Sequence, residues 1–398
     1  MKKIVVSCMG SRERYGLPVA LYKTGMLQKL YTDLYFPSWI APLSSVTIIP
    51  NSVRAMLGRN HKELPYQKVV SQYTLGVNFR VRTRRLVSLQ QKQELLTKYG
   101  SSFACNVAKQ LSNPDVFVGF TAGALETFHT CKEKGIKTIL DQVDPGLYEW
   151  ELISKEVEKN PGWEFGSSDT RWSPDFEARV KSELELADEI IVNSQHSKDA
   201  LSYWGISKNI HILPIASSIP RLNRININNE KPLRILFLGV LSLRKGIHIG
   251  VEAVHNLVQR GLKVELILAG ESFIRPEKLN EFQGWKYIGS VPGCDVPSLI
   301  DSCDVLLFPT FSDGFGMVQV EAISRGMPVI STKNSAQVIE DGVSGFLVEV
   351  GSVNEVEYRI EQYCLDRDLL STHSNNAFKR SALFSPEEYE KVIIKKFS

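Results

Sequence analysis

The chain has 398 residues, more than one typical hydrophobic core organises, so its length predicts two domains of similar size. Its composition is ordinary for a globular protein, and six scattered cysteines with no CxxC pair argue against a disulfide framework or a zinc site. The net charge of +3 hides a strongly basic start, and no apolar run is long enough for a membrane-spanning helix or a signal peptide.

The first half of the chain alternates short apolar runs with helical segments. After the third of these runs, an acidic helix is predicted to break at residues 160–162 and to resume at Pro174. Strands that alternate with helices favour a parallel sheet covered on both faces. The predicted strands of this half lie at residues 3–8, 115–120, 137–142 and 188–194.

Basic residues are concentrated at the start of the chain. Residues 1–110 contain 17 Lys+Arg against four Asp+Glu, and the densest cluster is RVRTRR at residues 80–85. A basic surface attracts polyanions such as anionic lipid or a phosphorylated molecule, although a solvated basic face explains the cluster equally well. No nucleic-acid-reading motif accompanies the charge, so nucleic acid is not an expected partner.

A polar, asparagine-rich stretch at residues 221–232 is the best linker candidate. Beyond it, every apolar run is short and is separated from the next by helix or turn signals. This pattern predicts a second, doubly wound parallel α/β domain. Its predicted strands lie at residues 234–240, 264–270, 285–291, 304–310, 327–333 and 345–350.

Two strand-to-helix turns in the second half suit a phosphate ligand. In the first turn, a strand ends at Gly239 and is followed by the adjacent cations Arg244 and Lys245. Arginine binds oxygens in bidentate fashion and lysine adds a point charge, so the pair suits a phosphate clamp, although surface Arg-Lys pairs are common. In the second turn, Gly270 ends a strand and permits close approach to the backbone. Ligands of open α/β sheets bind at this carboxyl edge.

A third turn carries two carboxylates, Asp313 and Glu321, eight positions apart. Gly314 and Gly316 follow the first acid, and a helix is predicted to begin near Met317. The free N–H groups at the helix start favour a phosphate or a sugar hydroxyl. Two carboxylates without nearby cations in the sequence suit the vicinal hydroxyls of sugars, so the three turns together predict a nucleotide-sugar site.

These linked motifs resemble those of the retaining glycosyltransferases of family 4, which have the GT-B fold. Residues 312–330 resemble the acid-x7-acid signature of that family, and residues 238–246 resemble its diphosphate-binding turn. Residues 338–348 match the segment that usually follows, and residues 187–201 match the last strand and helix of the family's first domain. The resemblance is strong over the second half and covers the first half in outline.

The resemblance implies an α/β architecture of two Rossmann-like, doubly wound parallel-sheet domains that face each other across a cleft. An acceptor-binding domain is expected at residues 1–215 and a donor-binding domain at 216–375. Residues 376–398 are expected to contain a C-terminal helix that crosses back to the first domain.

The resemblance also assigns roles to the residues of the three turns. Arg244 and Lys245 would neutralise the diphosphate leaving group, and Asp313 would hold hydroxyls of the donor sugar; these three form the expected catalytic set. The first acid is Asp313 where the family usually has Glu. The expected donor-binding residues are Gly10, Gly239, Gly270, Gly314, Phe315, Gly316, Met317, Val318 and Glu321, of which Glu321 would bind the ribose.

A metal-independent hexosyl transfer with retained anomeric configuration is the implied activity, and no cofactor or metal is expected. The DRD string at residues 366–368 has the spacing of a metal motif but is expected to be solvated. The isolated histidines His196 and His248 are expected to be structural.

The implied partners are a nucleotide diphosphate sugar and a saccharide or lipid-linked acceptor, in surface polysaccharide or glycolipid biosynthesis. We expect a cytoplasmic protein that associates peripherally with an anionic membrane face through its basic N-terminal region. One alternative is a catalytically inert GT-B-like protein that binds a sugar nucleotide or a partner. A Rossmann-type dehydrogenase is disfavoured because no G-x-G-x-x-G follows a strand with an acid at the expected distance.

Overall fold

The computed structural model describes residues 1–45, 48–49, 51–86, 88–165, 172–217, 219–223 and 231–398. Its strands form two sheets in which all neighbouring strands are parallel. The first sheet contains β1 (Ile4–Cys8), β2 (Leu27–Thr32), β3 (Val69–Ser71), β4 (Val116–Phe120), β5 (Lys137–Gln142), β6 (Glu189–Val192) and β7 (Asn209–Ile212). The second sheet contains β8 (Leu233–Leu238), β9 (Val264–Ala269), β10 (Trp285–Tyr287), β11 (Val305–Phe308), β12 (Val329–Thr332) and β13 (Gly345–Val348).

Helices connect the parallel strands, as parallel pairing requires. Those of the first domain, built around the first sheet, are α1 (Gly16–Lys23), α2 (Asn51–Leu57), α3 (Tyr73–Thr83), α4 (Leu89–Gln110), α5 (Leu125–Glu133), α6 (Leu147–Lys159), α7 (Pro174–Leu186) and α8 (Gln195–Tyr203). Those that follow are α9 (Ile247–Gln259), α10 (Pro276–Leu279), α11 (Val296–Asp301), α12 (Met317–Ser324), α13 (Val353–Leu365), α14 (Arg367–Arg380) and α15 (Pro386–Phe397). No helix in the described part of the chain is both long and apolar enough to cross a bilayer.

Each sheet has a point at which the order of its strands reverses. The first sheet runs β3-β2-β1-β4-β5-β6-β7, so the reversal lies between β1 and β4. The second runs β10-β9-β8-β11-β12-β13, with the reversal between β8 and β11. The connections that leave these neighbouring strands in opposite directions open a crevice at the carboxyl edge, where ligands of such sheets bind. The fold therefore supplies two binding crevices, one per domain.

Buried apolar side chains cover both faces of each sheet, in two core clusters for each domain. The last helix, α15, belongs to the first of these domains by its packing. Its Tyr389, Ile393 and Phe397 lie in the same buried cluster as β1 and α1, although the chain reaches α15 from the second domain. The domain boundaries themselves stay predictions, and residues 224–230 of the predicted linker lie outside the described residues.

Most predicted strands coincide with observed ones, but three strands of the first sheet were missed and several were drawn too long. Strand β2 mixes apolar with polar residues, β3 has three residues, and β7 is only partly buried, so none gives a continuous apolar run. The strand predicted at residues 285–291 ends at Tyr287, because the edge strand β10 pairs only with β9 over three residues. The predicted break after α6 and the resumption at Pro174 are confirmed.

Candidate active site

The crevice of the second sheet is built by two interlocked turns, one after β8 and one after β11. The carbonyl oxygen of Arg244 accepts hydrogen bonds from the Phe311 N–H at 2.9 Å and from the Thr310 hydroxyl at 3.1 Å. Gly246 has a φ of +72°, and a Cβ there would lie 2.0 Å from the Pro309 carbonyl oxygen. A larger residue is excluded on both counts, so glycine here holds the two turns in register.

The strand-end glycines divide into one that contacts protein and one that faces open space. A Cβ on Gly270 would lie 1.8 Å from the carbonyl oxygen of Gly239, so Gly270 is required by the backbone of the neighbouring turn. A Cβ on Gly239 would meet no atom within 4 Å. The group that approaches Gly270 closely is therefore the backbone of Gly239, which follows β8. The open space beside Gly239 is available to a ligand.

The two cations of the first turn are paired with carboxylates. Lys245 Nζ forms an ion pair with Asp313 Oδ2, and both side chains are largely buried. Arg244 Nη1 lies 3.3 Å from the Ser312 carbonyl oxygen and 3.7 Å from Glu149 Oε2. Burial alone would raise the pKa of Asp313, but Lys245 and Arg244 outweigh it and lower that pKa below its usual value. Asp313 is therefore a carboxylate held by two cations.

Helix α12 begins at Met317, as predicted, with Gly316 before it at a φ of +75°. The Phe315 side chain is buried in the core, and its N–H donates to Asp313 Oδ1 at 3.3 Å. Met317 and Val318 are half-buried and pack against the same core cluster. The N–H of Phe315 is thus already used by Asp313, and the N–H of Gln319 donates to the Gly316 carbonyl at 2.9 Å.

Gly314 lies at the contact between the two domains. A Cβ on Gly314 would lie 2.2 Å from the Val143 carbonyl oxygen, and its own carbonyl accepts from the Ser197 hydroxyl at 3.4 Å. Val143 follows β5 and Ser197 lies on α8, both in the first domain. The sequence predicted that Gly314 allows a ligand to approach the backbone. The structure shows in addition that the absence of a side chain here allows the backbone of the first domain to approach.

Glu321 is bound across the cleft by a cation of the first domain. Its Oε1 lies 3.2 Å from Arg14 Nη2, and the glutamate side chain is 9% exposed against 61% for the arginine. Arg14 lies in the turn after β1, where Glu13, Arg14 and Tyr15 all have left-handed φ values between 49° and 64°. Such conformations cost non-glycine residues about 1 kcal/mol or more each. The strained turn thus places a cation on the acid expected to bind ribose.

Sequence reasoning missed three residues of the first domain that surround the paired turns. Glu149 on α6 lies beside Arg244, and Glu164 accepts a hydrogen bond from the Leu243 N–H at 2.6 Å. His196 Nε2 lies 2.9 Å from the Ser312 hydroxyl, next to Asp313. Burial lowers the pKa of His196 to about 4, so the ring is neutral at pH 7. The acidic character of α6 was visible in the sequence, but nothing local indicated that it faces the other domain.

His248 and Gly10 have other surroundings. His248 Nε2 lies 2.9 Å from Glu156 on α6, and its ring stacks on Phe311, which makes it part of the contact between domains. Gly10 follows β1 and donates its N–H to Asp33 Oδ1 at 2.9 Å. It therefore lies at the crevice of the first sheet, and its assignment to the donor stays a prediction.

Asp366, in the DRD string, caps α14 by accepting from the Leu369 N–H. Over the described residues, no group of three or more His, Cys, Asp or Glu side chains is arranged to hold a metal ion.

Glu149 gives the site a measurable pH dependence. Burial raises its pKa to about 7 against the opposing effect of Arg244, from an ordinary value of 4.5. The folded state therefore binds more protons than the unfolded state between these values, so this contribution to stability is lost as pH rises from 4.5 to 7. We expect Glu149→Gln to gain about 3 kcal/mol relative to wild type between pH 4.5 and about pH 8, measured by denaturant unfolding.

The matched control is Glu158→Gln, an exposed carboxyl on the same helix. Its stability relative to wild type should not change across this range of pH. Equal pH profiles for Glu149→Gln and wild type would show that Glu149 has no raised pKa.

Comparison with solved structures identifies the fold. The architecture is the GT-B fold, as predicted: the crystal structure of Anabaena HepE in complex with UDP-glucose superposes with a TM-score of 0.62 at 16% identity, covering 100% of this chain and 99% of that chain. Residues 218–380 match the family model of glycosyl transferases group 1. This match lies in the second half of the chain.

Two curated relatives illustrate the extent of the similarity. The capsular polysaccharide biosynthesis glycosyltransferase CapM of Staphylococcus aureus is 28% identical over 153 residues, which cover 36% of this chain and 40% of CapM. An uncharacterized 41.2 kDa protein in the cps region of Klebsiella pneumoniae is 29% identical over 282 residues, 67% of this chain and 73% of that protein. With other curated relatives the match spans about half of their length, 44% and 54% in two cases.

Proposed function

We propose that the protein is a retaining, metal-independent hexosyltransferase of family 4, which moves a sugar from a nucleotide diphosphate donor to an acceptor hydroxyl. The observation that carries this proposal is the convergence of Arg244, Lys245 and Asp313 in the second crevice, with Glu321 on the helix that follows. The domain match to group 1 glycosyltransferases and the UDP-glucose bound to HepE support the choice of donor.

The geometry suggests how the donor enters. The diphosphate would take Lys245 and Arg244 from their present carboxylate partners, because two charge-assisted contacts to phosphate replace those to Asp313 and Glu149. Asp313 is then released toward the sugar hydroxyls. The ribose would displace Arg14 from Glu321 in the same way. Open space beside Gly239 admits the phosphates.

Transfer would then proceed on one face of the sugar. The bond from the anomeric carbon to the β-phosphate oxygen breaks, the acceptor oxygen bonds to the same carbon from the same face, and the leaving phosphate takes the acceptor proton. Arg244 and Lys245 stabilise the charge that develops on the diphosphate, in a partly buried site where such stabilisation is large. In this scheme the two cations supply what a metal ion supplies elsewhere, and neither carboxylate acts as a glycosidase-type nucleophile.

The setting that we propose is surface polysaccharide or glycolipid biosynthesis, on the cytoplasmic side of a membrane. CapM is named as a glycosyltransferase of capsular polysaccharide biosynthesis, and the Klebsiella protein as one in the cps region. Arg82, Arg84 and Arg85 are exposed on and after α3, and they offer a basic surface to anionic lipid.

The test of the proposal separates binding from transfer. Glu321→Ala should weaken UDP binding about tenfold, because hydrogen bonds from ribose to a carboxylate are lost. Asp313→Ala should leave UDP binding nearly intact but lower transfer from UDP-glucose about 100-fold. Thermal shift with UDP measures the first effect, and UDP release in the presence of EDTA measures the second.

Glu277→Ala removes an exposed acid of the same domain and is the control for both measurements. Normal activity in both site variants would refute the assignment of the site. Binding of nucleotide sugars without turnover on any saccharide or lipid acceptor would instead support the inert alternative. That alternative is worth testing because both acids of the site, Asp313 and Glu321, are already paired with cations of the protein.

A further inference from the structure

The crevice of the first sheet contains a cavity of about 370 Å³. It lies between the turns that leave β1 and β4, the two strands at which the strand order reverses. This is the place where an open α/β sheet binds its ligand. The charged residues that line it are three arginines and one aspartate, namely Arg12, Arg59, Arg80 and Asp33.

The single carboxylate of the cavity is already fully engaged. Arg59 Nη1 lies 2.8 and 2.9 Å from the two oxygens of Asp33, and the Gly10 N–H donates to Oδ1 at 2.9 Å. Asp33 is 4% exposed. It neutralises Arg59 and has little capacity left for the other two cations.

Arg80 is the cation without adequate compensation. Its Nη2 lies 3.7 Å from Asp33 Oδ2, beyond hydrogen-bond distance, and its buried Nη1 has no hydrogen-bond partner within the described ranges. Burial, followed by the neighbouring Arg59, lowers the pKa of Arg80. A buried donor that has no partner costs free energy, which an anionic ligand would recover.

The excess of positive charge and the lining together indicate the ligand. Arginines outnumber the carboxylate by two along the cavity wall, which matches the charge of a phosphate monoester. The lining also contains the apolar side chains of Met9 and Leu96 and the rings of Phe79 and Tyr99, which stack at 4.1 Å. Such side chains suit the sugar or hydrocarbon that carries the phosphate.

The same turn links this cavity to the donor site. Arg12 lines the cavity, and Arg14, two positions on, contacts Glu321. Residues two positions apart have Cα atoms at most about 7 Å from each other. We propose that the cavity formed by Arg12, Arg59 and Arg80 binds a phosphate group of the acceptor, which fixes the acceptor beside the donor; this proposal rests on the proposed transferase function.

The experiment first saturates the donor site with UDP, so that phosphate cannot bind at Arg244 and Lys245. Calorimetric titration with glycerol 3-phosphate then tests a soluble phosphate, and co-sedimentation with phosphatidic acid vesicles tests the same group on a lipid. Arg80→Gln and Arg12→Gln are each expected to weaken phosphate binding about 10- to 100-fold in whichever of the two assays detects binding to the wild-type protein. Lys181→Gln, an exposed lysine on α7 of the same domain, is the matched control.

The two arms distinguish a soluble acceptor from a lipid-linked one, and loss of binding in both cavity variants but not in the control supports the proposal in either case. Arg12 is exposed, so its replacement is not expected to disturb folding. Arg12→Gln therefore still tests the proposal if Arg80→Gln does not fold. UDP binding without phosphate binding in either arm, or equal loss in Lys181→Gln, overturns the proposal and leaves the transferase function standing. Absence of UDP binding is a failure of the proposed function itself.

Discussion

Replacing Lys245 by methionine is expected to lower the rate of transfer about 100- to 1,000-fold, the largest effect of any substitution in the second crevice. Lys245 is largely buried, pairs with Asp313 and lies 5.0 Å from the centre of the Phe308 ring. Methionine keeps the length of the side chain but removes its charge, so the leaving diphosphate would lose a cation in a poorly solvated site. Turnover of UDP-glucose under saturating donor measures the effect.

The same substitution leaves Asp313 less well compensated, which by itself destabilises the protein by about 3 kcal/mol or more. Turnover measured at a temperature at which Lys245→Met is still folded separates the two effects. Slow turnover of the folded variant supports a catalytic role for Lys245. Lys286→Met, an exposed lysine on β10, is the control, and a turnover of Lys245→Met equal to that of the control would contradict the role.

Gly314→Ala is expected to lower transfer about 100-fold while nucleotide binding persists. Its Cβ would lie 2.2 Å from the Val143 carbonyl oxygen and 3.3 Å from Asp144 Cα, and all of these neighbours are backbone of the first domain. The overlap is relieved when the domains move apart, and a displacement of about 1 Å between reacting groups costs about this factor. Kinetics and solution scattering of the variant measure the two consequences.

Gly293→Ala is the matched control, because Gly293 belongs to the same domain and a Cβ there would meet no atom within 4 Å. Wild-type kinetics for Gly314→Ala would show that the domain contact at Val143 is not required for transfer. Loss of UDP binding would place the effect within the second domain instead.

The second domain was more predictable from sequence than the first. Its strands β8, β9 and β11 are mostly apolar, since both faces of the sheet are covered, and a glycine or polar turn follows each of them. In the first domain, β2 mixes polar with apolar residues and β3 is a three-residue edge strand. Periodicity is a local signal, and such strands exist because their neighbours supply hydrogen bonds.

The candidate site likewise has a part that the sequence predicted and a part that only the structure shows. The sequence by itself predicted that Arg244, Lys245 and Asp313 follow strands at the same edge of the sheet, with Glu321 on the next helix, because local apolar patterns and glycines encode the order of strand, turn and helix. Only the tertiary structure decided that Lys245 meets Asp313. It also decided which residues of the first domain complete the site: Arg14, Val143, Glu149 and His196.

The physical reason is the range of the interactions. The Arg14–Glu321 contact joins residues 307 positions apart, and the His196–Ser312 contact joins residues 116 apart. No helix or strand period relates residues at such separations; the packing of one domain against the other does. The arginine cavity likewise unites Arg12, Arg59 and Arg80 from three separate connections of the first sheet, so the composition revealed a basic region but only the fold brought these three arginines to one cavity.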